Sequence, residues 1–320
     1  MEHLNQTTPV RFILLGLSDV PHLQLICFFA FLMMYMITVL GNILLIIVVT
    51  MTPALHTPMY FFLSNLSVID ISFSCTIVPK ILVNTLSTDR SISFFECALQ
   101  MYIHLVLGAT ESVLLAVMAY DRFVAICKPL HYKIIMNFTF CIYLVATSWT
   151  VGFVNSLTLV LPTLKLPFCG TKYIDHYFCE IPPLLKISCT DTRLNEALLY
   201  ISAGTIVMCL FFFIAISYLH IITTILKMNT LTESYKVFST CASHLTVVSL
   251  YYCTIMFIYL RPYSTYYQNT DKIVSLLYTA VTPMLNPFIY SMRNKDFKGS
   301  LAKLNKQVSL QNLLCLDHRN

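Results

Sequence analysis

The sequence predicts an all-α membrane protein, a bundle of seven transmembrane helices with an extracellular N-terminus. Three observations predict it. Of 320 residues, 57% are hydrophobic and only 11% are charged, whereas a soluble domain carries roughly 25% charged residues. The mean hydropathy is strongly positive, so lipid, not water, is the main solvent. Seven apolar runs are each long enough to cross a hydrocarbon core about 30 Å thick, which takes roughly 20 helical residues.

The runs lie at about 23–50, 58–83, 98–127, 139–162, 196–226, 237–260 and 272–292. His56-Thr57-Pro58 opens the second, Lys128-Pro129 closes the third, Pro162 ends the fourth, and Arg293-Asn294-Lys295 follows the seventh. An odd number of spans puts the two termini on opposite sides. Residues 1–22 then form an outer tail, 23–292 the transmembrane domain and 293–320 an inner tail. Residues 1–22 lack a long apolar stretch after a basic start, so the first span is expected to act as the insertion signal. In 293–306, Phe297, Leu301 and Leu304 recur at helical spacing among lysines, which suits an amphipathic helix beneath the membrane.

The positive-inside balance is nearly even, so orientation rests on other signs. Asn5-Gln6-Thr7 is a glycosylation sequon in the tail. Asn65-Leu66-Ser67 and Asn137-Phe138-Thr139 are two more, expected in or below the membrane and unmodified. Cys97 begins the third span, and Cys169, Cys179 and Cys189 fall in the loop 163–195 on the same side. Four cysteines on one face read as two disulfides in an oxidising compartment, with connectivity left open by spacing. The other eight are expected to be reduced and space-filling.

Polar groups inside the membrane mark functional positions. Asp70 and Glu111 stand near the middles of spans two and three. Two carboxylates at similar depth repel if both are ionised, so one is protonated or a cation, such as sodium, lies between them. Asn42, Ser67 and Asn286 offer neutral oxygens at comparable depth. A neutral hydrogen-bonded network that only knits the helices is the alternative. Asp121 and Arg122 form an expected ion pair at the inner end of span three, which reads as a switch or, more plainly, as a marker of the water interface. In span seven, Pro287 removes a backbone hydrogen bond and bends the helix, with Asn286 and Tyr290 on one face.

Along span three, His104 lies roughly 10 Å below Cys97 and Glu111 roughly 10 Å below His104 at 1.5 Å per residue. Residues 101, 104, 105, 108, 111 and 112 share one face, and Gly108 leaves a gap in it. The expected outer cavity therefore brings together His104, Gly108 and Ser112 with Tyr252, Ile255 and Tyr259 of span six and Thr279 of span seven. Met101, Leu105 and Ile206 add apolar wall. With no unpaired charge expected near its top, such a cavity suits a small, neutral, mainly apolar ligand with one hydrogen-bonding group. Alternatively, His104 only bonds the outer loop.

No catalytic nucleophile motif or metal-ligand spacing occurs in the sequence, so neither an enzyme nor a cofactor is expected. A transporter or channel could also use the Asp70/Glu111 pair, but such folds commonly carry paired repeats or broken helices, and neither is evident in the sequence.

Several blocks carry a family likeness: FILLGLSDVP (12–21), GN (41–42), HTPMYFFLSNLSVID (56–70), MAYDRFVAICKPLHY (118–132), SY (217–218), KVFSTCASHL (236–245) and PMLNPFIYSMRNKD (283–296). In their order and spacing the chain resembles an olfactory receptor of the terrestrial-type class, within the rhodopsin-like G-protein-coupled receptors. The resemblance implies a multi-pass plasma-membrane receptor that binds a small odorant. It implies coupling to a heterotrimeric G protein of the stimulatory, olfactory class, with cyclic AMP as output and no nucleic-acid partner. Arg122 would be released on activation to meet the G protein, with Tyr218 and Tyr290 rearranging beside it. Asp70 and Glu111 would match the family's intramembrane acids. Cys97 would pair with Cys179, and Cys169 with Cys189. Tyr252 would stand at the span-six toggle position. Three departures from the pattern are Phe123 for a usual Tyr, Cys253 for a common Gly and Val237 for a common Ala, with Cys253 expected to make span six pack more tightly or bend less there.

Overall fold

The computed structural model describes residues 11–17, 20–168, 172–227, 231–260, 268–291 and 297–302. Among them are seven helices long and apolar enough to cross a membrane. They are α1 (Pro21–Met51), α2 (Pro58–Leu86), α3 (Phe94–Cys127), α4 (Phe138–Leu164), α5 (Arg193–Leu226), α6 (Leu231–Tyr259) and α7, which runs through Gln268–Leu276, Leu277–Val281 and Thr282–Ser291. Each expected run lies within, or within a residue or so of, one of these helices, because length and apolarity are what a bilayer selects.

Local chemistry sets several helix starts. Pro58 opens α2, where its missing N–H costs nothing. Ser93 and Glu96 form a reciprocal capping box at the start of α3. Asn137 caps α4 by accepting from the Phe140 N–H. The helix α3 is buried on most of its surface and packs on α2, α4 and α5. Its approach to α4 depends on Gly152, since a Cβ there would meet Thr110 and the Val106 carbonyl. By contrast, α1, α4 and α5 leave leucine, isoleucine and phenylalanine side chains on the outer surface, as lipid-facing helices do. A short helix at 297–302 buries Phe297 and exposes Lys298.

Two helices carry wide π turns, Gly204–Met208 in α5 and Leu277–Val281 in α7. Each inserts a residue into the helical count and rotates the rest of its helix relative to the part before it.

The outer end is closed by a three-stranded sheet that hydropathy does not reveal. The strand β1 (Arg11–Leu14) pairs antiparallel with β2 (Ser91–Ser93) and parallel with β3 (Tyr173–Ile174). Residues 11–14 are therefore fixed rather than part of a free tail. Their inward residues Phe12 and Leu14 are fully buried, and Phe12 meets Phe168 edge-on at 5.6 Å. The loop after α4 continues as a plug in which Tyr177, Phe178, Ile181, Leu184 and Leu185 are all buried.

Candidate functional site

The plug is bolted down beside a cavity. Cys97, in the first turn of α3, is disulfide-bonded to Cys179. The Cys179 N–H also donates to Gln100 Oε1 at 2.9 Å, one turn further along α3. Cys189 is disulfide-bonded as well; Cys169, its expected partner, and Asn5 of the sequon lie outside the described residues.

Below the plug is a cavity of about 530 Å³ of empty space, about 60 Å³ of it open to the centres of water molecules. One water needs roughly 10–15 Å³ of such space, so the cavity as it stands is narrow. Spans three, five and six supply most of the lining, including His104, Leu105, Gly108, Ser112, Ile206, Ile255 and Tyr259. All seven are among the residues named from the sequence for an outer cavity.

Three expected residues stand elsewhere. Met101 is fully buried in the core and does not line the cavity. Tyr252 turns between α3 and α5, where its hydroxyl donates to the Ser112 carbonyl at 2.9 Å and its ring lies 6.0 Å from Phe211. The neighbouring Tyr251 takes the cavity position, its hydroxyl donating to the Gly108 carbonyl at 2.5 Å. Thr279 sits in the π turn of α7, donates to the Ser275 carbonyl and lies 3.2 Å from the Tyr177 hydroxyl. Tyr278, its neighbour in the same π turn, reaches the cavity instead; depth alone does not say which of two adjacent residues faces inward.

Near the top the plug adds a carboxyl that the sequence reading did not place there. Glu180 is fully buried in the plug, next to Cys179. Its Oε1 accepts the Tyr259 hydroxyl at 2.5 Å and the Tyr278 hydroxyl at 3.0 Å. Its Oε2 lies 3.9 Å from Nε2 of His176. Burial pushes the Glu180 carboxyl up to about 7, against the opposing pull of the two tyrosines. Burial, with Lys272 nearby, holds the His176 imidazole down at about 3 and therefore neutral. His104 is wedged among the Phe73, Phe178 and Tyr278 rings at 5.1, 5.0 and 5.6 Å. It touches both the outer loop and the cavity.

Deeper in the bundle, the Asn286 amide donates to both oxygens of Asp70, at 3.1 and 3.0 Å. Asn42 donates to the Pro283 carbonyl at 3.2 Å, joining α1 to α7. Glu111 Oε1, Asn42 Oδ1, Asn286 Oδ1 and the Tyr290 hydroxyl are buried without a protein partner. Carboxylate and amide oxygens left open in this way suit water or a hard cation such as sodium. No group of three or more histidine, cysteine, aspartate or glutamate side chains among the described residues could hold a metal.

At the inner end, Arg122 pairs with Asp121 at 2.6 Å, and the Tyr132 hydroxyl donates to the other oxygen of Asp121 at 2.7 Å. Tyr218 and Tyr290 are buried, and Pro287 packs within 3.1 Å of where a Cβ on Gly41 would lie. The Phe123 ring lies 5.9 Å from His220 and beneath the Lys128 ammonium at 5.8 Å. Cys253 is exposed and unbridged on the outer surface of α6, so it does not tighten the bundle as the sequence suggested.

Seven membrane helices, a plug clamped to α3 and a cavity beneath it agree with one family match. The family described as olfactory receptor matches residues 31–307. The chain belongs to the olfactory receptor family. Similar curated relatives include Olfactory receptor 2G3 of Homo sapiens, 47% identical over 94% of this chain and 97% of its own length. Olfactory receptor 1M1 of Mus musculus is 48% identical over 97% of this chain and 99% of its own length. The receptor is thus a multi-pass plasma-membrane protein of the G-protein-coupled class, an odorant receptor and not an enzyme.

Proposed function

We propose that this olfactory receptor binds a small, neutral, mainly apolar odorant in the cavity beneath the plug and activates a stimulatory, olfactory-class G protein, raising cyclic AMP. The observation that carries this reading is the cavity itself, apolar for most of its wall, with His104, Tyr259 and Tyr278 of that wall held by Phe178 and Glu180 of the plug. Burial of the odorant's hydrocarbon part supplies most of the affinity, at about 0.8 kcal/mol per CH₂. Its polar group meets the His104, Tyr259 and Tyr278 end.

In the same reading Arg122 leaves Asp121 on activation and meets the G protein. Tyr218, Asn286, Pro287 and Tyr290 form the movable inner half of α5 and α7. Asp70 and Glu111 take a sodium ion or a proton between them, and their exchange biases the resting state. Cys169 closes the second outer disulfide with Cys189, and Asn5 carries glycan. A broad odorant screen of the surface-expressed receptor, read by cyclic AMP, tests the proposal. Active odorants are expected to lose their response in Arg122→Ala while still protecting that variant against heat. Full cyclic AMP signalling by a surface-expressed Arg122→Ala receptor overturns the coupling assignment.

A further inference from the structure

The hydrogen bonds around the cavity show a consistent direction. The Tyr259 and Tyr278 hydroxyls both donate to one oxygen of Glu180. The Ser112 and Tyr251 hydroxyls both donate to the Gly108 carbonyl, at 3.0 and 2.5 Å. Ser202 Oγ donates to Asn155 Oδ1 at 2.6 Å. All five hydroxyls belong to lining residues. Carbonyl, amide and carboxylate oxygens accept, so each hydroxyl has committed its single hydrogen to the protein. What it can still offer a ligand is an oxygen lone pair.

His104 obeys the same rule. Its Nε2 lies 3.5 Å from the Tyr259 oxygen and 3.4 Å from the Tyr278 oxygen, whose hydrogens are already directed to Glu180. A proton on Nε2 fits that arrangement and leaves Nδ1, which has no protein partner, as an acceptor. The Asn155 amide nitrogen is a donor on the α4 side of the cavity. The end made by α3, α6 and α7 presents acceptors.

We infer that the receptor selects odorants by a hydrogen-bond donor, taking alcohols in preference to ketones, aldehydes or ethers of the same carbon skeleton. The inference rests on the cavity reading above and names the ligand class for it. A hydroxyl ligand can donate to the Tyr278 oxygen. A ketone placed there sets oxygen against oxygen and gains no hydrogen bond for the water it gives up, which is how polar sites reject analogues. Glu180 sets this selectivity from behind the wall without needing to touch the ligand. It is a positioning residue, since it holds the two phenol hydrogens away from the cavity.

The test uses the full-length receptor at the cell surface, read by cyclic AMP, with matched alcohol, ketone and methyl ether series. The parent is expected to prefer the alcohol by about tenfold in potency, which corresponds to about 1.4 kcal/mol. Glu180→Gln keeps an acceptor oxygen for both tyrosines and keeps the preference. Glu180→Leu frees the two phenol hydrogens and is expected to bring ketone and alcohol within about threefold, a ratio within one receptor that surface level does not affect. Should Glu180→Leu fail to reach the surface, Tyr278→Phe serves in its place, weakening the alcohol and sparing the ketone. Equal potencies in the parent, or an unchanged ratio in whichever of these two variants reaches the surface, overturn the inference. Gly108→Leu, which fills the cavity, separates the two readings. If it spares every response, odorants bind elsewhere and both fall. If it abolishes them while alcohols and ketones rank alike in the parent, only the donor rule falls.

Discussion

Tyr218 and His244 are locked together across α5 and α6, with the hydroxyl 2.7 Å from Nδ1 and the rings stacked at 5.8 Å. The other ring nitrogen, Nε2, lies 3.1 Å from the Leu115 carbonyl of α3. A carbonyl only accepts, so Nε2 carries the proton and Nδ1 accepts from the tyrosine. One imidazole thus ties three helices together on the inner side of the cavity.

His244→Phe keeps an aromatic ring but removes both bonds, leaving the buried Tyr218 phenol short of a partner and untying the Leu115 carbonyl, which keeps only its helical bond. Tyr218→Phe leaves only Nδ1 unpaired. Each stranded group costs about 1–3 kcal/mol. His244→Phe is therefore expected to lower the melting temperature of detergent-solubilised receptor more than Tyr218→Phe does. An equal or smaller drop would show that the imidazole does not bridge the helices.

Cys97→Ser is expected to be far more damaging than Cys141→Ser. The first breaks the bond that holds the plug to α3, and loss of a native disulfide costs about 2–5 kcal/mol. Cys141 is buried but unbridged, and serine there replaces one small side chain by another. Surface staining and thermal stability of the two variants decide the matter; comparable losses would contradict it.

Stability should carry a pH signature from Glu180. Its carboxyl is raised from 4.5 to about 7 by burial. Between those values the folded receptor holds a proton that the unfolded chain has released, so this group's contribution is complete at low pH and fades as pH rises towards 7. Glu180→Gln has no such dependence. Its stability relative to the parent should therefore climb between pH 5 and pH 8, by on the order of 3 kcal/mol. A flat difference would place Glu180 in contact with water. His176 works in the opposite sense, gaining stability as pH rises from about 3, and is present in both proteins.

Gly152 offers a packing test. Any side chain there meets Thr110 and the Val106 carbonyl of α3, and the backbone carbonyl cannot turn aside. Gly152→Ala is expected to cost about 1–3 kcal/mol through overpacking, seen as a lower melting temperature. Thr110→Ala should recover part of the loss, and no recovery would mean that the backbone contact dominates.

The seven helices were legible because span length and apolarity are simple demands of the bilayer. The α3 stripe was legible for a related reason. The helix is regular from Phe94 to Cys127, so the 3.6-residue period places His104, Leu105, Gly108 and Ser112 on one face. The far wall was not. On α7 the choice between Thr279 and Tyr278, and on α6 that between Tyr252 and Tyr251, needed a rotation about the helix axis that depth alone does not give. Glu180 was hidden because loop residues carry no period. Its place beside Cys179, which the resemblance paired with the top of α3, was the one pointer to it. The outer sheet was invisible for the same reason, its strands being two to four residues long.

That sheet imposes an order of events on the making of the receptor. Its central strand, β1, precedes the first span, while its partners come after the second and the fourth. The segment that crosses the membrane earliest must wait, with Phe12 and Leu14 uncovered, until about half the chain has been threaded behind it. Until then those two apolar side chains mark the chain as unfinished. Completion of the roof would then coincide with burial of the very residues that had marked the chain as unfinished.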